Sequence, residues 1–257
     1  MIICKAPTEL EKMHRAGLVV WDVLTRVRDA VQPGVSTMDL EKLAEKLTAA
    51  HKARPAFKGY RGFPCVLCTS VNQEVVHGIP SAARKLRSGE IISVDFGAEV
   101  DGYYADAAVT VPVGEISPEL EKLLRVTRES LDRAIEKVKL GNRLSDISHA
   151  VQGWVEENGY SVVREFVGHG IGTRMHEEPN LPNFGEPGRG PRLQEGMALA
   201  IEPMVNAGQP AVRVLADDWT AVTADGSFSA HFEHTVAVTS NGPWILTRPK
   251  SVAGPSW

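Results

Sequence analysis

Thr8-Glu9-Leu10-Glu11-Lys12-Met13 returns later in the chain as Pro118-Glu119-Leu120-Glu121-Lys122-Leu123. Both copies open amphipathic segments, and Ser117 ahead of Pro118 supplies an N-cap with proline at the first helical position. Each segment runs to a glycine, Gly34 or Gly141, and five residues further on stands an acid, Asp39 or Asp146. A second apolar series follows in each copy, Leu40, Leu43, Ala44, Leu47 and then Ile147, Ala150, Val151, Trp154. Both follow the i, i+3, i+4, i+7 stripe of a core-facing helix. After each helix pair the pattern turns to strands. The first half offers Cys65–Val71, Ile91–Phe96 and Tyr103–Val111; the second offers Val162–Val167, Met197–Ile201, Val212–Leu215 and Phe232–Val238. The reading is an α+β protein: two α-α-β halves, about 1–113 and 114–257, within a single domain spanning 1–257. Their strands are expected to join in one mostly antiparallel sheet covered by helices. Any two amphipathic pairs share a stripe, but the shared Glu-Leu-Glu-Lys opening and the matching glycine-to-acid spacing favour duplication. A duplicated fold offers a pocket where its halves meet.

Composition sets the outer bounds. The chain has 257 residues, 43% hydrophobic and 23% charged, with 28 Lys+Arg against 32 Asp+Glu for a net charge of −4. A chain of this length buries roughly 70–75% of its unfolded surface, so it needs neither disulfides nor a structural metal to hold a core. The mild acidity disfavours DNA or RNA as the main partner, because a phosphate-tracking surface carries a large positive excess. No apolar run approaches the roughly 20 residues that cross a bilayer. Met1-Ile2-Ile3-Cys4-Lys5 turns polar at once, unlike a signal peptide. A cytoplasmic monomer is the expectation. Cys65-Val66-Leu67-Cys68 is formally a C-x-x-C pair, but it lies in an apolar stretch after Phe63-Pro64 with no second pair elsewhere. Two small buried side chains, one of them lining a pocket, describe it better than a redox or zinc site.

The chemistry sits on the strands. In Ile91-Ile92-Ser93-Val94-Asp95-Phe96-Gly97 an acid stands inside an apolar strand; the chain turns through Glu99-Val100-Asp101-Gly102 and returns as Tyr103-Tyr104-Ala105-Asp106-Ala107-Ala108-Val109. A turn centred on Val100-Asp101 puts Asp95 directly opposite Asp106; one centred on Asp101-Gly102 makes them diagonal neighbours. Either register leaves both carboxylates on one face. Two adjacent buried carboxylates cannot both stay ionised without a cation or a shared proton.

The second half holds complementary groups. Gly168-His169-Gly170-Ile171-Gly172 follows an apolar strand, and its three glycines call for backbone that approaches something closely. Glu202 ends the apolar Met197–Ile201 run, and Glu233 opens Glu233-His234-Thr235-Val236. Asp95, Asp106, His169, Glu202 and Glu233 make one imidazole and four carboxylates with no thiolate. That hard, oxygen-rich set suits a pair of divalent first-row ions better than a closed structural zinc site. Such a pair holds and deprotonates water in metal-assisted hydrolases.

With His176 after the glycine-rich strand, Ile201-Glu202-Pro203-Met204, and Asp106 eleven residues beyond Asp95, the pattern resembles the type I methionine aminopeptidases along essentially the whole chain. The resemblance implies the pita-bread fold of that family and removal of the initiator methionine from nascent chains with a small second residue. It implies two divalent ions (Co²⁺, Mn²⁺, Fe²⁺ or Zn²⁺), with Asp95 chelating one, Asp106 and Glu233 bridging, and His169 and Glu202 completing the other. Glu202 is then also the proton shuttle, while His77, in Val75-Val76-His77-Gly78, and His176 hydrogen-bond the scissile peptide and its developing oxyanion. Tyr60, Phe63, Cys68 and Trp219 would line the methionine pocket, with Phe57 and Met175 beside them. Asn72 and Ser229 correspond to a monovalent-cation loop. Transient contact with the ribosome is expected of an enzyme acting on nascent chains.

Two positions depart from the family pattern: Arg61 stands where many members have histidine, and Met175 where phenylalanine is frequent. Related prolidases and proline-specific aminopeptidases share the ligand pattern but carry a large extra N-terminal domain. Type II methionine aminopeptidases carry a helical insertion, and eukaryotic type I members a zinc-binding extension. The chain resembles the compact bacterial-type enzymes of the family. An Xaa-Pro peptidase and a non-catalytic binding protein on the same fold are the competing readings; intact ligands count against the second.

Overall fold

Both amphipathic pairs form helices. In a computed structural model that describes every residue except 253, 255 and 256, they are α1 (Pro7–Ala30), α2 (Thr37–Ala50), α3 (Pro118–Glu136) and α4 (Leu144–Glu157). The glycine-to-acid spacing has a local cause. Asp39 accepts from the Ser36 backbone N–H at 3.0 Å and Asp146 from that of Arg143 at 2.7 Å, so each acid closes the first turn of its helix. Ser117 Oγ accepts from the Leu120 N–H at 3.4 Å and starts α3. Leu40, Ala44 and Leu47 are buried, as are Ile147 and Val151; Leu43, Ala150 and Trp154 are half-buried. The Arg133 guanidinium covers the half-buried Trp154, 3.7 Å from its ring centre.

The main sheet is antiparallel throughout. Its path runs Arg54–Pro55, Glu90–Val100, Tyr103–Val113, Glu233–Thr239, Ala198–Ile201, Gly168–Gly170, Glu177–Leu181. Leu67–Val71 also pairs with Glu90–Val100, and Gly242–Ile245 with Glu233–Thr239. α1 packs on the hairpin Glu90–Val100/Tyr103–Val113. Its Val20, Val23, Leu24 and Val27 share one core with Val94, Phe96, Ala105, Ala107 and Val109. Those alternate hairpin residues face the helices, which sends Asp95 and Asp106 to the opposite face.

Two strand expectations change. The stretch 162–167 pairs only at Ser161–Val162, and extended pairing resumes at Gly168–Gly170. Arg164 and Glu165 are exposed and interrupt the apolar run, so 163–167 crosses as a loop whose Phe166 meets the site. Val212–Val214 is a largely exposed edge strand outside the main sheet, joined with Ala221–Thr223 and Glu74–Val76 in a small three-stranded sheet. A second small sheet holds Ser161–Val162, Met204–Asn206 and Ser229–His231. Among the described residues, no helix is long and apolar enough to cross a membrane.

Candidate metal centre

Register arithmetic brings the five sequence-derived residues to one place. Asp95 pairs with Ala108 and Gly97 with Asp106, so the turn is the one centred on Asp101-Gly102 and the two aspartates are diagonal neighbours. Ala108 is also the partner of Glu233 on the next strand. Two residues beyond Glu233, Thr235 faces Ala200, which in turn faces His169. Glu202 lies two residues past Ala200. Side chains alternate along a strand, so Asp95, Asp106, Glu233 and His169 project from the same face, with Glu202 at the end of its strand beside them. His169 Nε2 stands 3.6 Å from an oxygen of Asp106 and 3.6 Å from one of Glu202. Ligand atoms of Asp106, His169 and Glu233 all fall within 4.8 Å of one another.

The glycines around His169 have the expected cause. A Cβ on Gly168 would stand 2.4 Å from the Ala200 carbonyl oxygen, and one on Gly170 would stand 2.2 Å from that of Glu178. The backbone of the His169 strand is squeezed between its neighbours, and only glycine fits.

Burial governs the electrostatics. It drives the carboxyl of Asp95 well above the ordinary range, with Asp106 adding to the effect. Burial likewise pushes Asp106 up to about 6 and raises Glu202 and Glu233 well above normal, the neighbouring carboxylates acting in the same direction on the two glutamates. Burial lowers His169 to about 4, leaving it neutral and able to act as a ligand at pH 7. Asp95 Oδ1 and Glu233 Oε1 are buried without a hydrogen-bond partner among the described residues. Four crowded carboxylates, two orphaned oxygens and a neutral imidazole fit a divalent cation centre.

The remaining expected residues surround this cluster. His77 is lowered to about 4, chiefly by burial, and meets Phe166 and Trp219 edge-on at 5.4 and 6.3 Å. Its φ of 62° is left-handed, and Gly78 follows because a Cβ there would stand 2.1 Å from the Thr69 carbonyl oxygen. His176 is also lowered to about 4 by burial; its Nδ1 lies 2.8 Å from the Tyr60 hydroxyl and its ring 4.2 Å from that of His169. Phe63, Cys65 and Cys68 form a small apolar cluster against Phe57 and Trp219, and the cavity beside the carboxylates is lined by Phe57, Tyr60, Phe63, Cys68, Met175 and Trp219. Cys68 pairs in register with Asp95, which places it at the floor of this cavity. Burial pushes the Cys65 thiol up to about 11 and the Cys68 thiol far upward, so neither is a ready thiolate. Arg61 borders the cavity with its guanidinium 5.4 Å from the Tyr60 ring centre. Asn72 and Ser229 meet directly, the Ser229 N–H donating to the Asn72 carbonyl at 2.9 Å.

Two further residues had no role in the sequence reading. Thr235 exchanges hydrogen bonds with Asp106: its Oγ1 accepts from the Asp106 N–H at 3.1 Å and donates to the Asp106 carbonyl at 2.9 Å. His231 is buried, borders the outer part of the same cleft, and holds Nε2 at 4.0 Å from Glu233. Both stand two residues from Glu233, and that alternation was the available signal.

The comparisons agree with this geometry. The model of metallopeptidase family M24 matches residues 11–240. A methionine aminopeptidase of Clostridium acetobutylicum is 56% identical over 247 residues, covering 96% of this chain and 99% of that protein. The crystal structure of a methionine aminopeptidase from Thermotoga maritima superposes with a TM-score of 0.95 at 49% identity, covering 97% of this chain and all of the other. A prolidase from Pyrococcus furiosus shares only the fold, with a TM-score of 0.76 at 22% identity over 96% of this chain and 66% of its own. The fold is the pita-bread fold, and the chain belongs to metallopeptidase family M24, within it to the methionine aminopeptidases.

Proposed function

We propose that this protein removes the initiator methionine from nascent polypeptides whose second residue is small. One juxtaposition carries the reading: the carboxylate and imidazole cluster opens directly onto an apolar pocket sized by Phe63, Cys68, Trp219 and Met175. In this reading Asp95, Asp106, Glu233, His169 and Glu202 would together hold two divalent ions, Asp95 toward one side of the cluster and His169 with Glu202 toward the other. Residues 1–257 act as one catalytic domain, its halves meeting near 113 and 114.

When bound, the divalent ions supply Lewis-acid polarisation of the scissile carbonyl and acidify water. The chain's own groups do the rest. The pocket holds the methionine side chain against polarisable sulfur and aromatic walls. Glu202, at the end of its strand and 3.6 Å from His169 Nε2, stands at the edge of the cluster where it is suited to take a proton from water and deliver it to the leaving amine. His77 and His176 stay neutral at pH 7, and a neutral imidazole keeps one N–H to donate. In the Nε2–H tautomer the Tyr60 hydroxyl, 2.8 Å away, donates to His176 Nδ1, and the Nε2–H is free to meet the developing oxyanion.

Co²⁺, Mn²⁺, Fe²⁺ and Zn²⁺ all suit the donor set, and the Asn72–Ser229 contact is the proposed place for a monovalent cation. The working form is taken as a cytoplasmic monomer in transient contact with the ribosome, without DNA or membrane as partner. The test is methionine release from a Met-Ala-Ser peptide, abolished by chelator and restored by Co²⁺, Mn²⁺ or Fe²⁺. Faster cleavage of Xaa-Pro peptides would replace the reading with a proline-specific one, and failure to bind divalent ions or release methionine would replace it with a binding role.

A further inference from the structure

The least expected buried group lies outside the metal cluster. Lys5, just ahead of α1, has only 4% of its side chain exposed, and Glu177 only 2%. Lys5 Nζ meets Glu177 Oε2 at 2.5 Å and also donates to the Ile3 carbonyl at 2.9 Å, while the Lys5 backbone N–H donates to the Gly196 carbonyl at 2.7 Å. The other carboxylate oxygen, Glu177 Oε1, accepts from the Arg174 N–H at 3.2 Å and from the Thr173 hydroxyl at 3.4 Å. Glu177 therefore ties the turn 173–177 together and Lys5 fixes the knot from outside. Gly172 completes the fit: a Cβ there would stand 2.3 Å from Lys5 Cε and 2.8 Å from Glu177 Oε1. Room for the lysine is built into the glycine-rich motif.

The knot touches two site residues through the chain. Glu177 directly follows His176, and it pairs with Gly170, the residue after His169. A buried ion pair adds little net stability compared with an apolar pair of the same volume, because both charges must be stripped of water. What it does supply is direction: a charge with buried partners has one satisfactory place to sit.

We propose that the Lys5–Glu177 pair is a positioning device for the His176 imidazole, holding the 173–177 turn so that the ring faces the scissile peptide. The proposal rests on the aminopeptidase reading only for its kinetic arm. Displacing a catalytic group by about 1 Å costs up to about 100-fold in rate.

The experiment is a double-mutant cycle on the metal-loaded full-length chain, with Lys5→Met and His176→Ala alone and combined and Met-Ala-Ser as substrate. Lys5→Met is expected to lower kcat on the order of 10- to 100-fold with KM changed less than about 3-fold, and to add little in the His176→Ala background. A loss as large in that background as in the parent, or no loss from a folded Lys5→Met protein, overturns the proposal. Glu177→Gln keeps an acceptor for the Arg174 N–H and runs the same cycle should Lys5→Met fail to fold. A second readout does not use turnover. Lys5→Met or Glu177→Gln is expected to speed hydrogen exchange across 173–177 and to shift the His176 ring nitrogen resonances. Unchanged exchange and resonances refute the positioning role even if the parent releases no methionine, in which case the aminopeptidase reading fails separately.

Discussion

Asp95 and Glu233 reach the site from two different strands and lie opposite the same residue, Ala108. A methyl group stands where a larger side chain would fill the space between two buried carboxylates. The smallness of residue 108 is thus part of the proposed centre as much as the acids are.

Ala108→Val tests this without touching a ligand. Ala108 is fully buried, so the added methyls are expected to cost about 1–3 kcal/mol of stability through overpacking. They are also expected to weaken Mn²⁺ binding on the order of 10-fold or more. Calorimetric titration of Mn²⁺, alongside thermal unfolding of the metal-free protein, separates the two effects. Unchanged affinity in the folded variant would remove Ala108 from the account.

Acid should loosen the metal and alkali should tighten it. Burial lifts Asp106 to about 6, above its ordinary carboxylate value, so the metal-free fold keeps a proton that the unfolded chain has already released. That contribution to stability is present at low pH and is lost as pH rises through about 6. His231, held down to about 3 by burial, works the other way: its share is present above about 6.5 and falls away as pH drops toward 3. A divalent ion displaces the carboxyl proton, so the gain in Tm on adding Mn²⁺ is expected to grow from pH 5 to pH 7. A gain that is independent of pH over that range would contradict the shared-proton picture.

Tyr60→Phe removes the hydroxyl 2.8 Å from His176 Nδ1 while keeping the ring that lines the pocket and stacks on His176. Loss of one hydrogen bond, about 0.5–1.5 kcal/mol, corresponds to roughly a 2- to 13-fold lower kcat/KM, falling mainly on kcat. An effect confined to KM would assign Tyr60 to methionine binding alone.

The cysteines offer a chemical check on burial. Cys4 is exposed, whereas Cys65 and Cys68 are buried and their thiols raised. Iodoacetamide at pH 8 is expected to label Cys4 first and to reach the other two only on unfolding, as mass spectrometry of timed samples reads directly. Rapid labelling of Cys68 in the native protein would show that the pocket floor is open to solvent.

Much of the site was legible because charge on an apolar strand is conspicuous. Asp95 and Asp106 each break an apolar strand, Glu202 ends one and Glu233 opens one, and the helix stripes and glycine-to-acid spacing read directly as capped helices. Strand pairing beyond the hairpin was not legible: nothing local says that Glu233 pairs with Ala108, or that Val212–Val214 leaves the main sheet. The hairpin register itself was open between two turns, since Val100-Asp101 and Asp101-Gly102 both suit one; the positive φ of Asp101 and Gly102 marks the turn the chain takes. Lys5 reads as an ordinary terminal lysine until the fold carries Glu177 to it from 172 residues away. His231 likewise looks like one more histidine in a strand until Glu233 is placed.

The proposed divalent-metal peptidase centre consists of the four carboxylates and His169. It is tested most directly by kcat/KM for Met-Ala-Ser, with bound metal quantified in the same samples, in the parent and in Asp106→Ala. The parent is expected to bind divalent metal and release methionine, and the folded variant to lose metal and on the order of 1,000-fold or more in kcat/KM. Turnover by Asp106→Ala at the parental rate would contradict it.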